Sequence, residues 1–537
     1  MSSYRPADPP PWDVVVVGAG VAGCAAAGVF RRSGLKALVL EGSKRIGGRV
    51  HSVPLQYPDG PCVELGAECV HGADLRNPVA KLAREAALQT VADERGKLRA
   101  FDTSDGTDLT AAVAAQREVL EAAVDLIAPL AEQHKRDASA DTSIAVALRS
   151  CGWVARSPLD KAVEWFDFDF EYAAEPAHTS LIHNVAEEYT RDDFGDGQEL
   201  VRDPCGFVRI VQLLHKRAVA VPPTTPPAPS PAGVSAPAPG ARPVAATFQL
   251  GETVVAIDAT PEAVCVTTAA GSAYRCRAVL LTVSAGVLQS PCLRFTPELP
   301  LPTLRAIHSV EMAAYAKVFL EWERPWWRLA AAEASSVGEG RSVGEGMSLG
   351  ECLSVGEGRS VGDGRSVGEG VSVGEGMPVG EGSSEGMSET AAAGCTAVAP
   401  LLGEPHTLLV GRERGHWPLV STVGGRCAAL CFTLTGAEAR RVEATEEGAL
   451  AQELMDLLRA TFPAASIPAP RAVRRTSWSN DPLFAGAYSL LPPGDCAPIM
   501  SPAARACPAE AEWTSEVLVL LCAPRQRAAP TRELTLF

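Results

Sequence analysis

The sequence predicts an α/β protein opening on a Rossmann-like dinucleotide-binding unit. Three observations predict it. The apolar run Val14 to Val17 leads into glycines spaced G-x-G-x-x-G at Gly18, Gly20 and Gly23. An Ala-rich apolar stretch, Val21 to Phe30, follows them. A second apolar run, Ala37 to Leu40, then ends at Glu41.

Each element has a physical reason. A short unbroken run of β-branched residues suits a strand buried on both faces of a parallel sheet. Gly18 permits the tight turn, Gly20 lets the backbone approach a pyrophosphate, and Gly23 lets the helix lie close to the strand. The helix N-terminus then faces the anion. Glu41, about 20 residues past the glycines, is placed to bond the ribose hydroxyls of an adenosine.

The residues beyond Glu41 bear on which dinucleotide is bound. In "EGSKRIGGRVHS", Gly47, Gly48 and Arg49 follow the second strand. An ordinary NAD unit needs no second glycine pair there. A second close backbone approach with an arginine fits a longer, bent cofactor. The E-x5-G-G-R pattern resembles the FAD-binding signature of the flavin-dependent amine oxidase superfamily. "VELGAECVHGADLRNPVAKLA", from Val63, resembles the family segment that runs under the flavin ring, and its His71–Gly72 matches animal polyamine oxidases.

Further segments extend the resemblance in family order. "AVEWFDFDFEYAAEPAHTSL", "DFGDGQELVRDPCGF" and "YRCRAVLLTVSAGVLQSPCLRFTPELP" are similar to plant-type polyamine oxidases. In the last of these, Val279 to Val283 is expected to return to the flavin domain. The resemblance implies an α/β fold in which a Rossmann-like FAD-binding domain is interleaved with an α+β substrate-binding domain carrying a mixed sheet. Residues 11–85, 200–290 and 495–537 would build the first. Residues 86–199 and 291–494 would build the second.

The resemblance also implies site residues. Gly18, Gly20, Gly23, Glu41, Gly48, Arg49, Gly66, Ala67, Val254 and Trp478 would hold FAD. Lys317, in the apolar strand "AYAKVFL", would face flavin N5 through a water; a cation in such a strand is costly unless it has a purpose. Tyr315 lies two residues earlier, on the same strand face. Glu171 would pair with a distal ammonium of the substrate, with Tyr172 and Tyr488 as aromatic walls. His71 replaces an acid of the plant enzymes and would hydrogen-bond a neutral amine.

Length and composition set the bounds. A chain of 537 residues, 46% hydrophobic, can form two or three domains around a large core. A net charge of −16 argues against broad nucleic-acid affinity. Fifteen cysteines, scattered and without C-x-x-C, argue for a reducing compartment and against a metal site. The N-terminus has no apolar signal region, no run reaches membrane-spanning length, and "TLF" is not a peroxisomal tripeptide. These point to a cytoplasmic protein, and the resemblance implies a monomer meeting a small polyamine and O2.

Two segments look foreign to a compact enzyme. Residues 221–246 are Pro/Ala-rich and are expected to form an extended linker. A hexapeptide repeat, "SVGEGR SVGEGM SLGECL" and onward, gives about eight copies within an insertion spanning roughly 331–395. Its glycines raise the entropy cost of ordering and Val is nearly its only apolar residue, so a mobile surface insertion is expected.

The family's flavin domain ends with a strand, a Gly-Glu-x-[ST] element and a closing helix. Here the strand is expected within Glu516 to Pro524, and "RQRAAPTRELTLF" follows without that element. Weakened flavin retention is therefore expected. The expected activity is oxidation of spermine, spermidine or acetylated forms by O2, releasing an aminoaldehyde, a smaller amine and H2O2. The alternatives are another flavin amine oxidase, a histone demethylase, or a catalytically inactive flavin-fold binding protein.

Overall fold

A computed structural model of the chain describes residues 10–56, 61–93, 98–137, 139–185, 194, 197–220, 243–328, 402, 406–423 and 427–494, with the backbone of 519–522 and 535–536. All belong to one compact unit, Met1–Arg328 with Pro400–Phe537. The hexapeptide repeat and nearly all of the Pro/Ala-rich stretch lie outside the described residues.

The first sheet is built around β1 (Trp12–Val17) and β2 (Ala37–Glu41), which pair in parallel, with α1 (Val21–Arg32) between them in sequence. The strand Ala273–Leu281 lies parallel on the other side of β1, in register Val17↔Leu281. Beyond it come Val264–Thr268, Val254–Ala259 and Arg294–Thr296; Thr247–Leu250 flanks β2. Pleating explains the unbroken valines. Val14, Val16 and Val39 enter one core with Ala27 of α1 and Val211 of the helix Val208–Val219. Val15, Val17, Leu38 and Leu40 enter another with Val279 and Ile307. Each such side chain contributes about 1.5–3 kcal/mol on full burial. The backbone of Val519–Cys522 runs antiparallel to Ala278–Leu281 at this sheet.

The second sheet is mixed and six-stranded. Its order is Ala472–Arg475, Tyr315–Glu321, Ala429–Thr435, Leu419–Thr422, His406–Val410 and Arg99–Asp102. Only the last pair is parallel. Along Tyr315–Glu321, Ala316, Val318 and Leu320 enter a core with Leu434 and the helix Glu447–Thr461. The alternate residues point to the other face. There Phe319 meets Val63 and Leu55, while Tyr315 meets Tyr488. The sheet thus places Lys317 between a floor near Val63 and an aromatic wall. The helix Thr110–Arg136 covers the Arg99–Asp102 edge, together with Pro158–Glu164 and a π-helical turn, Trp165–Asp169.

Candidate active site

The glycine loop is held by contacts that leave no room for side chains at two of its three glycines. Gly18 has φ +105°, and a Cβ there would lie 2.8 Å from Thr282 Oγ1. A Cβ on Gly23 would stand 2.0 Å from the Gly18 carbonyl oxygen. At Gly20 a Cβ would meet no atom within 4 Å, so this backbone has an open face. Gly20 also caps α1 with no side-chain hydrogen bond. The first amides of the helix therefore remain available to an anion.

Glu41 is buried and anchors two turns. Its carboxylate accepts from Ala19 N–H (2.7 Å) and Ser43 N–H (2.8 Å). Each carboxylate oxygen keeps a second acceptor position. The second glycine pair packs on the first loop. Gly47 N–H donates to the Ala19 carbonyl at 2.9 Å, and a Cβ on Gly48 would lie 3.4 Å from Gly20 Cα. Val254 is half-buried at the start of its strand, just after Glu252 N–H donates to the Glu41 carbonyl (2.8 Å).

Arg49 donates from Nη1 to the Ala487 carbonyl at 2.9 Å, and burial pushes its guanidinium pKa down to about 10. Its own carbonyl accepts from Ala67 N–H at 3.2 Å. Gly66 must be glycine, because a Cβ would fall 1.7 Å from that carbonyl oxygen. Ala67 is exposed. Trp478 is buried over this stretch and donates from Nε1 to the Leu65 carbonyl at 3.1 Å.

Lys317 is 3% exposed and reaches the same stretch. Its Nζ donates to the carbonyls of Glu64 (3.1 Å) and Gly66 (3.0 Å) and stands 3.1 Å from Glu68 Oε1. Its strand position is fixed by a two-way exchange with Thr476. Lys317 N–H donates to Thr476 Oγ1 (2.9 Å), and Thr476 N–H donates to the Lys317 carbonyl (3.0 Å).

The aromatic residues gather on the side of Tyr315. Its ring lies 6.0 Å from Tyr488 and 6.3 Å from Phe170. Burial raises its phenol pKa well above the ordinary value. Tyr488 Oη donates to the Glu171 carbonyl at 3.1 Å. Tyr172 donates to the Asn184 carbonyl, and burial pushes its pKa up to about 12. Glu171 is half-buried beside it. His71 lies at the exposed end of Cys69–His71, opposite Gln198. Lys317, Gly66, Ala67 and Trp478 thus converge on one segment, while Tyr315, Tyr488, Tyr172 and Glu171 form an adjoining cluster.

Three residues were missed by sequence reasoning. Thr282 closes the glycine loop, its Oγ1 donating to the Val17 carbonyl at 3.0 Å. Glu68 lies within the quoted "VELGAECVHG", but only its meeting with Lys317 reveals it. His51 follows the G-G-R and lies edge-on to Trp478, with centroids 6.4 Å apart. Burial first, then Arg45 and Arg474, push its pKa down to about 4. A histidine depressed in the folded state stabilises the protein fully above its unfolded pKa of about 6.5, and that contribution is lost as pH falls toward about 4. The parent should therefore lose melting temperature across this window, and His51→Gln should lose measurably less. Parallel slopes for the two proteins would remove His51 from the acid response.

The sequence profile of the flavin containing amine oxidoreductases matches residues 21–361 and 405–509. The chain belongs to this family. As a flavin containing amine oxidoreductase it is similar to rice "Polyamine oxidase 6" (Oryza sativa subsp. japonica), 25% identical over 90% of this chain and 81% of that protein. It is also similar to rice "Lysine-specific histone demethylase 1 homolog 2", 29% identical over 61% of this chain and 40% of that protein. Among solved structures, cyclohexylamine oxidase from Brevibacterium oxydans shares the fold, with TM-score 0.55 and 16% identity over 91% of this chain and 90% of that one.

The cofactor of the family is FAD. The residues present fit it. The open face of Gly20 lies at an uncapped helix N-terminus, and a carboxylate with spare acceptor positions ends β2. Among the described residues, no helix is long and apolar enough to cross a membrane.

Proposed function

We propose that this amine oxidoreductase acts on polyamines, oxidising spermine, spermidine or an acetylated form with O2. The observation that carries the reading is the convergence at Tyr315–Glu321, where Lys317 meets Glu64–Glu68 and Tyr315 meets Tyr488 and Phe170. The extended similarity to a plant polyamine oxidase supports it. Gly18, Gly20, Gly23, Glu41, Gly48 and Arg49 would hold the nucleotide half of FAD. Gly66, Ala67, Val254 and Trp478 would complete its site. When bound, FAD supplies the two-electron chemistry that turns an amine C–N bond into an imine and O2 into H2O2.

The chain's own residues do the rest. The reacting nitrogen must be neutral, because its lone pair stabilises the forming iminium. Tyr315, Tyr488 and Phe170 offer aromatic surface that excludes water around it. The remote nitrogens of a polyamine stay cationic, and Glu171, whose backbone carbonyl accepts from Tyr488 of the aromatic wall, would receive one on its carboxylate. Tyr172, donating to the Asn184 carbonyl, would anchor the short helix that carries Glu171. His71, at the exposed strand end, is placed to meet an incoming amine. Lys317 holds a fixed positive charge against the Glu64–Glu68 segment.

The test is to purify the chain and record its visible spectrum. Spermine, spermidine, their acetylated forms and a methylated-lysine peptide are then supplied separately in air, with assay of H2O2 and amine products. Turnover confined to the polyamines is expected. Peroxide only from the peptide would replace this reading with demethylation. A flavin-loaded protein inert to every amine would replace it with a binding role.

A further inference from the structure

The Lys317 ammonium has three N–H donors, and one five-residue stretch supplies three acceptors for them. Two are carbonyl dipoles, of Glu64 and Gly66. The third, Glu68 Oε1, is the charged one. The Glu64 carboxylate is committed elsewhere, accepting from Ser52 Oγ (2.7 Å) and Phe207 N–H (2.7 Å). A buried ammonium facing only dipoles loses its proton more readily than one facing a carboxylate. We propose that Glu68 is a positioning residue of the active site, keeping the Lys317 ammonium charged and pinned to the Glu64–Glu68 segment. Its use in catalysis rests on the amine-oxidase reading above; the pairing itself does not.

The surroundings leave Glu68 as the carboxylate in contact with Lys317. Around the pair stand the Glu64 carboxylate, which feels both charges but is hydrogen-bonded to Ser52 and Phe207; Arg202, beyond the strand Gln198–Val201; His406, on the strand His406–Val410; Cys431, on Ala429–Thr435; and Tyr315, on the strand of Lys317 itself. Burial opposes ionisation of Glu68, but Lys317 first and Arg202 next outweigh it, leaving the carboxyl below its ordinary range. Burial pushes the Cys431 thiol up to about 12 and the Tyr315 phenol well above its usual value, so neither adds an anion near neutral pH. Glu68 and Lys317 therefore form the ion pair in contact at this point.

The experiment is thermal unfolding against pH for the full chain carrying Glu68→Gln. This substitution keeps the shape and an acceptor oxygen and deletes the charge. With Lys317 deprotonating more easily in the folded variant, its unfolded state binds the extra proton, so the variant's stability rises with pH below the ordinary lysine range. Its deficit against the parent should be largest near about pH 7 and shrink as pH approaches about 10. A deficit independent of pH, or none, overturns the proposal, because a lost hydrogen bond alone carries no proton linkage. Glu68→Asp, which keeps the charge, should show no such slope. Should Glu68→Gln fold poorly, the Lys317→Met background decides. There the same substitution removes a carboxylate that has lost its contacting cation and keeps Arg202 as its largest remaining counter-charge, and the melting temperature should hold or rise. A further fall would show that Glu68 acts apart from Lys317. None of these readouts needs turnover, so a failed polyamine assay leaves them interpretable.

Discussion

Protein carrying Gly23→Ala should fold poorly and emerge without flavin, whereas Gly20→Ala should fold as the parent does and bind flavin weakly. The contrast follows from what each new methyl meets. At Gly23 it lands 2.0 Å from the Gly18 carbonyl oxygen. That carbonyl belongs to the turn bounded by Val17 and Thr282, so relief requires α1 to move away from β1. Overpacking of this kind costs about 1–3 kcal/mol and occasionally more, and the opened helix no longer aims its amides at the loop. At Gly20 the methyl meets nothing within 4 Å, and φ is −72°, which alanine adopts freely. The fold is spared, but the methyl occupies the face where the pyrophosphate approaches. Thermal melts with flavin absorbance separate the two effects. Equal melting temperatures for Gly23→Ala and the parent would disprove the packing account. Undiminished flavin affinity in Gly20→Ala would place the phosphates elsewhere.

Lys317→Met should slow turnover by about tenfold or more, the scale of losing one positioned polar group in a reaction. It should also lower stability. The substitution strands the Glu64 and Gly66 carbonyls and the Glu68 carboxylate. Buried acceptors without donors cost about 1–3 kcal/mol each. Glu68 is 30% exposed and recovers part of its hydration, which discounts its share. Stopped-flow traces taken anaerobically with amine, and then on re-admission of O2, report flavin reduction and reoxidation separately. Unchanged rates in both phases would exclude Lys317 from the chemistry, whatever the melting curve shows.

The nucleotide-binding unit was legible in the sequence because its signals are local. Strand, glycines, helix, second strand and acid follow within one βαβ unit, and Gly23 answers a clash inside that unit, with the Gly18 carbonyl, whereas the clash at Gly18 comes from the distant Thr282. Lys317 was legible as a lone cation in an apolar strand with period two. Its partners were not. Glu68 and Lys317 meet only because the face of Tyr315–Glu321 turned away from Val318 looks onto the turn after Glu64, and nothing local in either stretch encodes that meeting. The same holds for Trp478 and the Leu65 carbonyl. Glu41 was legible as an acid ending β2. Its grip on Ala19 and Ser43 was less so, since a strand-end carboxylate takes whichever amides the neighbouring loops present. The π-helical turn Trp165–Asp169 left no signal separable from an aromatic helix.

The hydrogen bond from Arg49 to the Ala487 carbonyl spans 438 residues. During synthesis the arginine leaves the ribosome long before its acceptor exists. At about 5–20 residues per second, that interval is roughly 20–90 s. Throughout it the glycine loop, the G-G-R turn and the Glu64–Glu68 floor wait without the 476–487 stretch that ties them together. Cofactor loading is therefore expected only after residue 487 has emerged, and nascent chains stalled before it should stay colourless however much flavin surrounds them.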